Sequence, residues 1–316
     1  MSVKKIIHGS VRRLDAFINS PYDNMLRSRI KKDLKLLLPG ILKFCKIWFQ
    51  RKDYTQVKYN FTVVVIIKNE APYLREWLNY YLSLGAEHFY IYDNESSDDP
   101  LRVLESYKTK ITYIKFKGIA RQMDAYNDAL NRFGQFSRYM AFFDADEFLF
   151  IENESQNLLQ LLTKYFSKAN IGGLAVNWQI YGSSFLQKKP TGLLTNNFVY
   201  RSKKDFEKNR HVKSIVDPRK TIGFLSDPHA PIYLPGYHAI NEKEEEVVGP
   251  ILPVISTDII RINHYFTKSK EEFLQKRSRG RATKSGQRNM QDFIDHDRND
   301  VFDDSMRKYN NNNNLY

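Results

Sequence analysis

Three carboxylates stand within four residues of an otherwise apolar run, AFFDADEFLF, at residues 141–150. Asp144 and Asp146 are two positions apart, so at the end of a β-strand both side chains can point to the same side, and Ala145 is too small to obstruct them. Oxygen ligands in this arrangement suit Mg²⁺ or Mn²⁺, particularly where a phosphate supplies the remaining ligands. A bound divalent cation would also keep both carboxylates ionised in apolar surroundings.

The same residues have a purely structural interpretation. Asp144 or Asp146 would then cap a loop helix, with Glu147 in solvent. A bare Asp-x-Asp pair arises by chance in many proteins, so its position in the fold decides between the two. We favour the metal interpretation because the pair follows a predicted strand whose neighbours also end in polar residues.

The elements that would position these residues alternate between strand and helix. FTVVVIIK is apolar on both faces, as in a central parallel strand, and NEAPYLREWLNYYLSLG has helical spacing, with Pro72 in its first turn and Gly85 as its stop. HFYIYD, ITYIKF and RYMAFFDADEF predict three more strands, each preceded by a helix. This alternation predicts an α/β fold with a Rossmann-like, mostly parallel sheet flanked by helices, followed by a mixed α/β C-terminal part.

Polar side chains follow each predicted strand. In open parallel sheets, ligands bind beyond the carboxyl ends of the strands, so these residues form the candidate site. They are Lys68, Asn69 and Glu70; Asp93, Asn94 and Glu95; Lys117; and Asp144, Asp146 and Glu147.

The net charge of +13 is concentrated near the N-terminus. Residues 1–60 contain 14 Lys or Arg and 4 Asp or Glu, whereas the rest of the chain contains 35 and 32. A nucleic-acid enzyme would be expected to line its working groove with the excess charge, so nucleic acid is not an expected partner. In residues 34–49, LKLLLPGILKFCKIWF, apolar residues alternate with Lys as in helices that lie on a membrane surface. The alternative is a basic helix packed on the main domain.

The sequence indicates a cytoplasmic protein. No stretch approaches the roughly 20 apolar residues of a membrane-spanning helix, no secretory signal is recognisable, and the single cysteine, Cys45, agrees with a reducing compartment. We expect peripheral contact with the inner face of the membrane through a basic amphipathic arm, residues 1–60. A main domain at 61–290 and a tail at 291–316 complete the chain, and RKYNNNNNLY predicts disorder in that tail.

Four segments occur in succession: VVVIIKNEAPYLREWLNYYLSLGAEHFYIYDNESSD, FFDADEF, HVKSIVDP and NHYFTKSKEEFLQKRSRGRA. Together they resemble the bacterial branch of glycosyltransferase family 92, which is close in fold to family 2. The resemblance runs from about residue 61 to 285 and is more specific than any one motif. It implies a GT-A enzyme that moves a sugar, often galactose, from a nucleotide-sugar donor such as a UDP-sugar to a glycan acceptor.

The resemblance implies that Asp144 and Asp146 bind the metal and the diphosphate, because a cation stabilises the charge that accumulates on the departing nucleoside diphosphate. GT-A enzymes often take a third metal ligand from a late histidine, and His264 is the expected one, with His229 second. The other expected donor-binding residues are Asn69, Glu70, Asp93, Arg121, Lys213 and Arg279. Turn formation, helix capping or simple exposure is the alternative for several of them.

An inverting transfer requires a carboxylate that takes the proton of the acceptor hydroxyl. Asp217, Asp227 and Asp258 are candidates, and Asp217 is favoured because it adjoins the HVKSIV segment. Glu147 is expected to hold the loop or contact the sugar. The expected acceptor is a lipid-linked glycan, or one belonging to a capsule or lipopolysaccharide.

Two other classes of protein are compatible with the residues. A metal-dependent phosphohydrolase or nucleotidyltransferase would also place paired carboxylates at strand ends. A non-catalytic protein that binds nucleotide sugars or glycans is the second alternative, although intact Asp144 and Asp146 argue against a degenerate site.

Overall fold

A computed structural model describes residues 56–153, 156–225, 227–278 and 288–315. The strands are β1 (Tyr59–Ile67), β2 (His88–Asp93), β3 (Ile111–Lys115), β4 (Ser137–Phe142), β5 (Glu147–Ile151), β6 (Ile171–Ile180), β7 (Tyr200–Arg201), β8 (Val212–Val216), β9 (Thr221–Gly223), β10 (Ile232–Tyr233), β11 (His238–Ile240), β12 (Glu246–Val247), β13 (Ile260–His264) and β14 (Val301–Phe302). The helices are α1 (Ala71–Ser83), α2 (Pro100–Leu104), α3 (Gln122–Phe133), α4 (Leu158–Tyr165), α5 (Leu194–Asn197), α6 (Lys270–Ser278), α7 (Met290–His296) and α8 (Ser305–Asn312).

Ten of the described strands form one sheet in the order β12-β11-β6-β8-β4-β1-β2-β3, with β13 joining β6 to β5. Strands β1 to β4 are parallel to their neighbours within this group, and β8 runs antiparallel to β4 and β6. The order β3-β2-β1-β4 reverses direction at β1, which opens a crevice beyond the carboxyl ends of β1 and β4. The prediction of an α/β fold with helices on a largely parallel sheet is confirmed.

Strand β1 is buried on both faces because helices cover both sides of the sheet. Val63, Val65 and Ile67 pack in the core on the side of α1, whereas Val64 and Ile66 pack on the side of α3. This explains why the strand is a continuous β-branched run without polar alternation.

Helix α1 begins and ends where the sequence predicts. Pro72 lies in its first turn, and the Ala71 amide donates to Oδ2 of Asp98 at 2.8 Å, which satisfies one of the free N–H groups at the helix start. Gly85 follows the helix with φ +94°, a left-handed conformation that glycine adopts without steric cost.

The predicted fourth strand, RYMAFFDADEF, is divided in two. Strand β4 ends at Phe142, a turn occupies the next four residues, and Glu147 opens β5, which pairs with β13. Asp144 and Asp146 therefore lie in a turn between two strands, and Glu147 is the first residue of the second strand.

The C-terminal segment is helical where RKYNNNNNLY predicts disorder. In α8, Met306, Tyr309 and Asn310 lie on one helical face because they are three and four residues apart. The Tyr309 ring packs against Tyr80 with centroids 5.2 Å apart, and Asn310 Nδ2 donates to Oγ1 of Thr195 at 2.7 Å. Helix α8 packs on α1 and α5, and these contacts bury side chains that an isolated asparagine-rich segment would leave in solvent.

Two sequence predictions concern residues outside the described ranges. These are the membrane-binding arm, apart from residues 56–60, and the diphosphate contact of Arg279. Within the described ranges, no helix combines the length and the apolar character that crossing a bilayer requires.

The buried carboxylate of Glu242 positions β13, which carries His264. It accepts hydrogen bonds from Ser256 Oγ and from the backbone amides of Asp258, Ile259 and Ile260, at 2.5 to 2.8 Å. The bonds from Ser256 and Ile260 are buried, so water is a poor substitute partner for these two donors.

We expect Glu242→Gln to lower the free energy of unfolding by about 2–3 kcal/mol, because an amide nitrogen would face backbone N–H donors. Urea denaturation measures the change. Glu244→Gln is the matched control: Glu244 is exposed on the same loop and pairs with Lys168 at the surface, so its loss should leave stability nearly unchanged. Equal effects of the two substitutions would contradict this role for Glu242.

Candidate active site

The turn that carries the three carboxylates lies at the carboxyl end of β4, where the strand order reverses. Its backbone is fixed from both sides. The Asp144 amide donates to Oε2 of Glu147 at 2.8 Å, and the Glu147 amide donates to the Asp144 carbonyl at 3.1 Å. Trp77 Nε1 of α1 donates to the carbonyls of both residues, each at 3.1 Å. The turn is therefore held independently of any ligand.

The Asp144 carboxylate is bound on both oxygens. Oδ1 accepts from Gln122 Nε2 at 2.7 Å and from the Tyr126 hydroxyl at 3.3 Å, and Oδ2 lies 3.0 Å from Lys213 Nζ. Its side chain is 30% exposed, so one side of the carboxylate faces the crevice.

Lys213 is the internal counter-ion of the turn. Its side chain and that of Glu147 are fully buried, and Nζ lies 3.5 Å from Oε2 of Glu147. Burial raises the pKa of the Glu147 carboxyl well above its ordinary value, although Lys213 opposes this. Burial alone would lower the pKa of the Lys213 ammonium, but Asp144 and Glu147 raise it well above its ordinary value. Within the part of the chain that the structure describes, Oε1 of Glu147 has no hydrogen-bond partner.

Asp146 points to a second cation. Its Oδ2 accepts from Lys276 Nζ of α6 at 2.5 Å, and Oδ1 lies 3.7 Å from His264 Nε2. Burial alone would raise the pKa of Asp146, but the positive charge of Lys276 above all, together with that of Lys268, lowers it far below its ordinary value. Asp146 therefore stays ionised although it is buried.

The His264 ring lies against Trp178 of β6, with centroids 4.3 Å apart. His211 stacks on the same indole at 4.9 Å and His229 approaches its edge at 5.0 Å. Burial lowers the pKa of all three imidazoles below the ordinary value, to about 4 for His211. Nδ1 of His264 is buried and finds no hydrogen-bond partner among the described residues.

The carboxyl end of β1 joins the same network. Glu70 accepts from Lys268 Nζ at 3.2 Å, and the ammonium lies over the Tyr73 ring. Tyr73 in turn donates to Oε1 of Glu272 at 2.5 Å. Ser269 and Glu272 exchange hydrogen bonds and so cap the start of α6. Because Tyr73 belongs to α1, its bond to Glu272 fastens α6 to α1 beside the carboxylate turn.

Two further predicted residues shape the loops after β1 and β2. Oδ1 of Asn69 accepts from the Ser97 amide at 2.7 Å, and Asp93 accepts from the Ser96 amide at 3.0 Å and from the Tyr113 hydroxyl at 2.5 Å. Asn69 has φ +55°, which asparagine tolerates better than most residues. Both side chains lie at the predicted edge and stabilise it.

Several predicted residues are not brought to the carboxylate turn. Asp217 follows the strand residue that pairs with Met140, so it lies beside the amino-terminal half of β4, where it accepts from the Arg219 amide. This location does not suit a catalytic base acting beside Asp144. The Arg121 guanidinium lies over the Phe116 ring and pairs with Asp124.

The two other base candidates also have structural partners. Asp227 accepts from the His229 amide, and exposed Asp258 pairs with Lys204 and Lys243.

Gln122, Tyr126 and Trp178 contact the site but were not predicted. Gln122 and Tyr126 are one helical turn apart on α3, which is a weak signal for a shared face. Nothing in the sequence indicates that this face meets Asp144.

The chemistry of the donor set is compatible with a divalent cation. Asp146 and His264 are close enough to share one ion, and the described residues include no group of three His, Cys, Asp or Glu arranged to hold a metal. Mg²⁺ is commonly held by one or two protein ligands together with substrate phosphates, so two residues suffice if a phosphate completes the shell.

Comparisons with known proteins identify relatives. The sequence profile of glycosyltransferase family 92 matches residues 64–246. A family 92 protein of Arabidopsis thaliana is 28% identical over 191 residues, which cover 57% of this chain and 32% of the relative. One of Oryza sativa subsp. japonica is 28% identical over 249 residues, or 78% of this chain and 40% of the relative. The chain thus spans well under half the length of these curated relatives.

Similarity to solved structures is low in both fold and sequence. TarS of S. aureus has a TM-score of 0.33 and 16% identity over 50% of this chain and 47% of its own. Glucosyl-3-phosphoglycerate synthase from Mycobacterium tuberculosis, solved with Mn²⁺, UDP and glucosyl-3-phosphoglycerate, has a TM-score of 0.27 and 12% identity over 42% of this chain and 50% of its own.

We expect Lys213→Met to lower the free energy of unfolding by about 3–5 kcal/mol, because it leaves Glu147 buried without its cation. Adding Glu147→Gln should recover part of the loss, since the remaining carboxylate, Asp144, is partly exposed. Urea denaturation of both variants measures the coupling. Lys108→Met, which removes an exposed ion pair with Glu105, is the control. A double variant less stable than Lys213→Met would contradict the assignment.

The His211 imidazole should titrate near pH 4 in the folded protein, against an ordinary value of 6.5. The folded state then binds fewer protons than the unfolded state between these values, so the contribution of His211 to stability is complete above 6.5 and is lost as the pH falls toward 4. NMR titration of the ring protons, with His211→Asn used for assignment, measures this. A midpoint at the ordinary value would refute the role of burial.

Proposed function

The chain belongs to glycosyltransferase family 92, and from this we propose that it is a GT-A enzyme that transfers a sugar from a nucleotide-sugar donor to a glycan acceptor. The observation that carries the proposal is the pairing of Asp144 and Asp146 with the buried cations Lys213 and Lys276 at the reversal of strand order. A nucleotide sugar carries a diphosphate, whose negative charge is stabilised by cations in the binding site. Carboxylates of the protein are needed to hold those cations in place.

Asp146 and His264 would hold Mn²⁺ or Mg²⁺, which supplies Lewis-acid stabilisation of the diphosphate as it leaves the sugar. Lys268 and Lys276 lie on the same side and are the side chains proposed to contact the phosphate oxygens. Gln122 and Lys213 orient the Asp144 carboxylate, so that its exposed side faces the donor. Asp144, Gln122 and Lys213 hold their positions before the donor arrives, and such preorganisation is the condition for electrostatic stabilisation of a leaving group.

The nucleoside is proposed to lie over the ends of β1 and β2, where Asn69 and Asp93 bind the two loops together, and UDP is the proposed carrier. The transferred sugar is proposed to be galactose or a similar hexose. The acceptor is proposed to be a glycan of a cell-surface polysaccharide or lipopolysaccharide, reached at the inner face of the membrane through residues 1–60.

The proposed stereochemistry is inverting, with a carboxylate accepting the proton of the acceptor hydroxyl. We do not propose Asp217 as that base, because it lies beside the amino-terminal half of β4. Glu147 is assigned to positioning the turn, since its side chain is fully buried and bonded to the Asp144 amide.

The test is a donor screen with purified protein, a panel of nucleotide sugars and Mn²⁺, read as sugar transferred or released and as nucleotide binding by calorimetry. We expect one UDP-sugar to be used, and Asp146→Asn to reduce its turnover by about a hundredfold or more. Asp205→Asn makes the same chemical change at an exposed position and should leave turnover unchanged.

Three outcomes would refute parts of this proposal. Full turnover by Asp146→Asn would remove Asp146 from the site. Cleavage of a phosphodiester without movement of sugar would favour the phosphohydrolase or nucleotidyltransferase alternative. Binding of nucleotide sugars with no turnover on any glycan would favour a binding protein.

A further inference from the structure

Lys276 holds one oxygen of the Asp146 carboxylate that a metal ion would need, and the other oxygen faces His264. Its ammonium lies 2.5 Å from Oδ2 of Asp146 and 2.9 Å from the carbonyl of Phe266, to which it also donates. The side chains of Lys276 and Asp146 are both nearly buried, at 9% and 8% exposed. The pair is therefore a desolvated ion pair built into the site.

A divalent ion held by Asp146 and His264 would meet this ammonium at short range. Two cations on one buried carboxylate repel each other strongly, because little water is present to screen them. Repulsion by the ion favours movement of the ammonium away from Oδ2, and a lysine separated from Asp146 in this buried location needs another anion. The Lys276–Asp146 ion pair therefore disfavours binding of the metal ion in the absence of a donor.

The diphosphate of the donor can supply the anion that Lys276 needs when it leaves Asp146. Lys276 lies in the last turn of α6, and its long flexible side chain can redirect the ammonium without moving the helix. The start of α6 stays fastened by Ser269 and by the hydrogen bond from Tyr73 to Glu272. A diphosphate that completes the ligand shell of the ion also offers oxygens to Lys276 within the same crevice.

We propose that Lys276 and the divalent cation compete for Asp146, and that the donor diphosphate relieves the competition by becoming the new counter-ion of Lys276. This rests on the proposed function for the identity of the donor. Metal and nucleotide then bind cooperatively, and by linkage each raises the affinity of the site for the other by the same factor. The free ion is held weakly, and the complete donor is held tightly.

The test is titration of the full-length protein with Mn²⁺, in which electron paramagnetic resonance counts the free ion, with and without saturating UDP. We expect Lys276→Met to bind Mn²⁺ alone about tenfold more tightly than the unsubstituted protein, and the gain in affinity on adding UDP to shrink by about the same factor. Lys276→Gln, which keeps a hydrogen-bond donor without the charge, should behave in the same way if the methionine variant does not fold.

Two variants serve as controls. Lys270→Met removes an exposed lysine from the same helix and should match the unsubstituted protein in both titrations. Asp146→Asn should lose the binding of Mn²⁺ in every background.

The proposal is overturned if Lys276→Met and Lys276→Gln bind Mn²⁺ in the absence of UDP no more tightly than the unsubstituted protein does. It is also overturned if none of the proteins binds Mn²⁺. The proposed function fails separately, if UDP and UDP-sugars show no calorimetric binding. In that case the titrations without UDP still decide whether Lys276 competes with the ion.

Discussion

Burial of a lysine ammonium beside two carboxylates is the constraint on which this structure depends. Lys213 is fully buried, and it holds Asp144 and Glu147 at 3.0 and 3.5 Å. Removing Lys213 would leave a buried carboxylate without its cation, which costs far more than an ordinary contact. Because Lys213 comes from β8 and the carboxylates from the turn after β4, the ion pairs fasten the antiparallel part of the sheet to its parallel part at the crevice. Fold and site therefore share one electrostatic network.

The network separates two kinds of carboxylate by their surroundings. Glu147 lies inside the turn, bonded to a backbone amide, and its pKa is raised by burial. Asp146, one residue earlier, is also buried but pairs with the Lys276 ammonium, so its pKa is lowered. Adjacent residues thus differ in charge preference because their side chains enter different environments. Asp146 is the residue suited to bind a metal, and Glu147 maintains the geometry of the turn.

The fold and the main carboxylate pair were predictable from local patterns. The β-branched run of β1, the helix that follows it with Pro72 and Gly85 at its ends, and the polar strand ends determine an α/β architecture and its functional edge, because burial on both faces and helix capping leave direct traces in residue type. Asp144, Asp146, Glu147, Lys213 and His264 do converge there. Asp217 does not, because chain proximity to a motif says nothing about which end of an antiparallel strand a residue occupies.

The sequence by itself determined which elements form and which edge of the sheet is polar, since both follow from periodicity along a short stretch of chain. The tertiary structure decided which side chains contact one another in the site. Lys276 and Asp146 are 130 residues apart, and Gln122 reaches Asp144 from a helix that carries no motif. The asparagine-rich tail forms α8 because Tyr80 and Thr195 provide a surface for it. Such contacts depend on distances set by the packing of the whole sheet, and no local pattern encodes those distances.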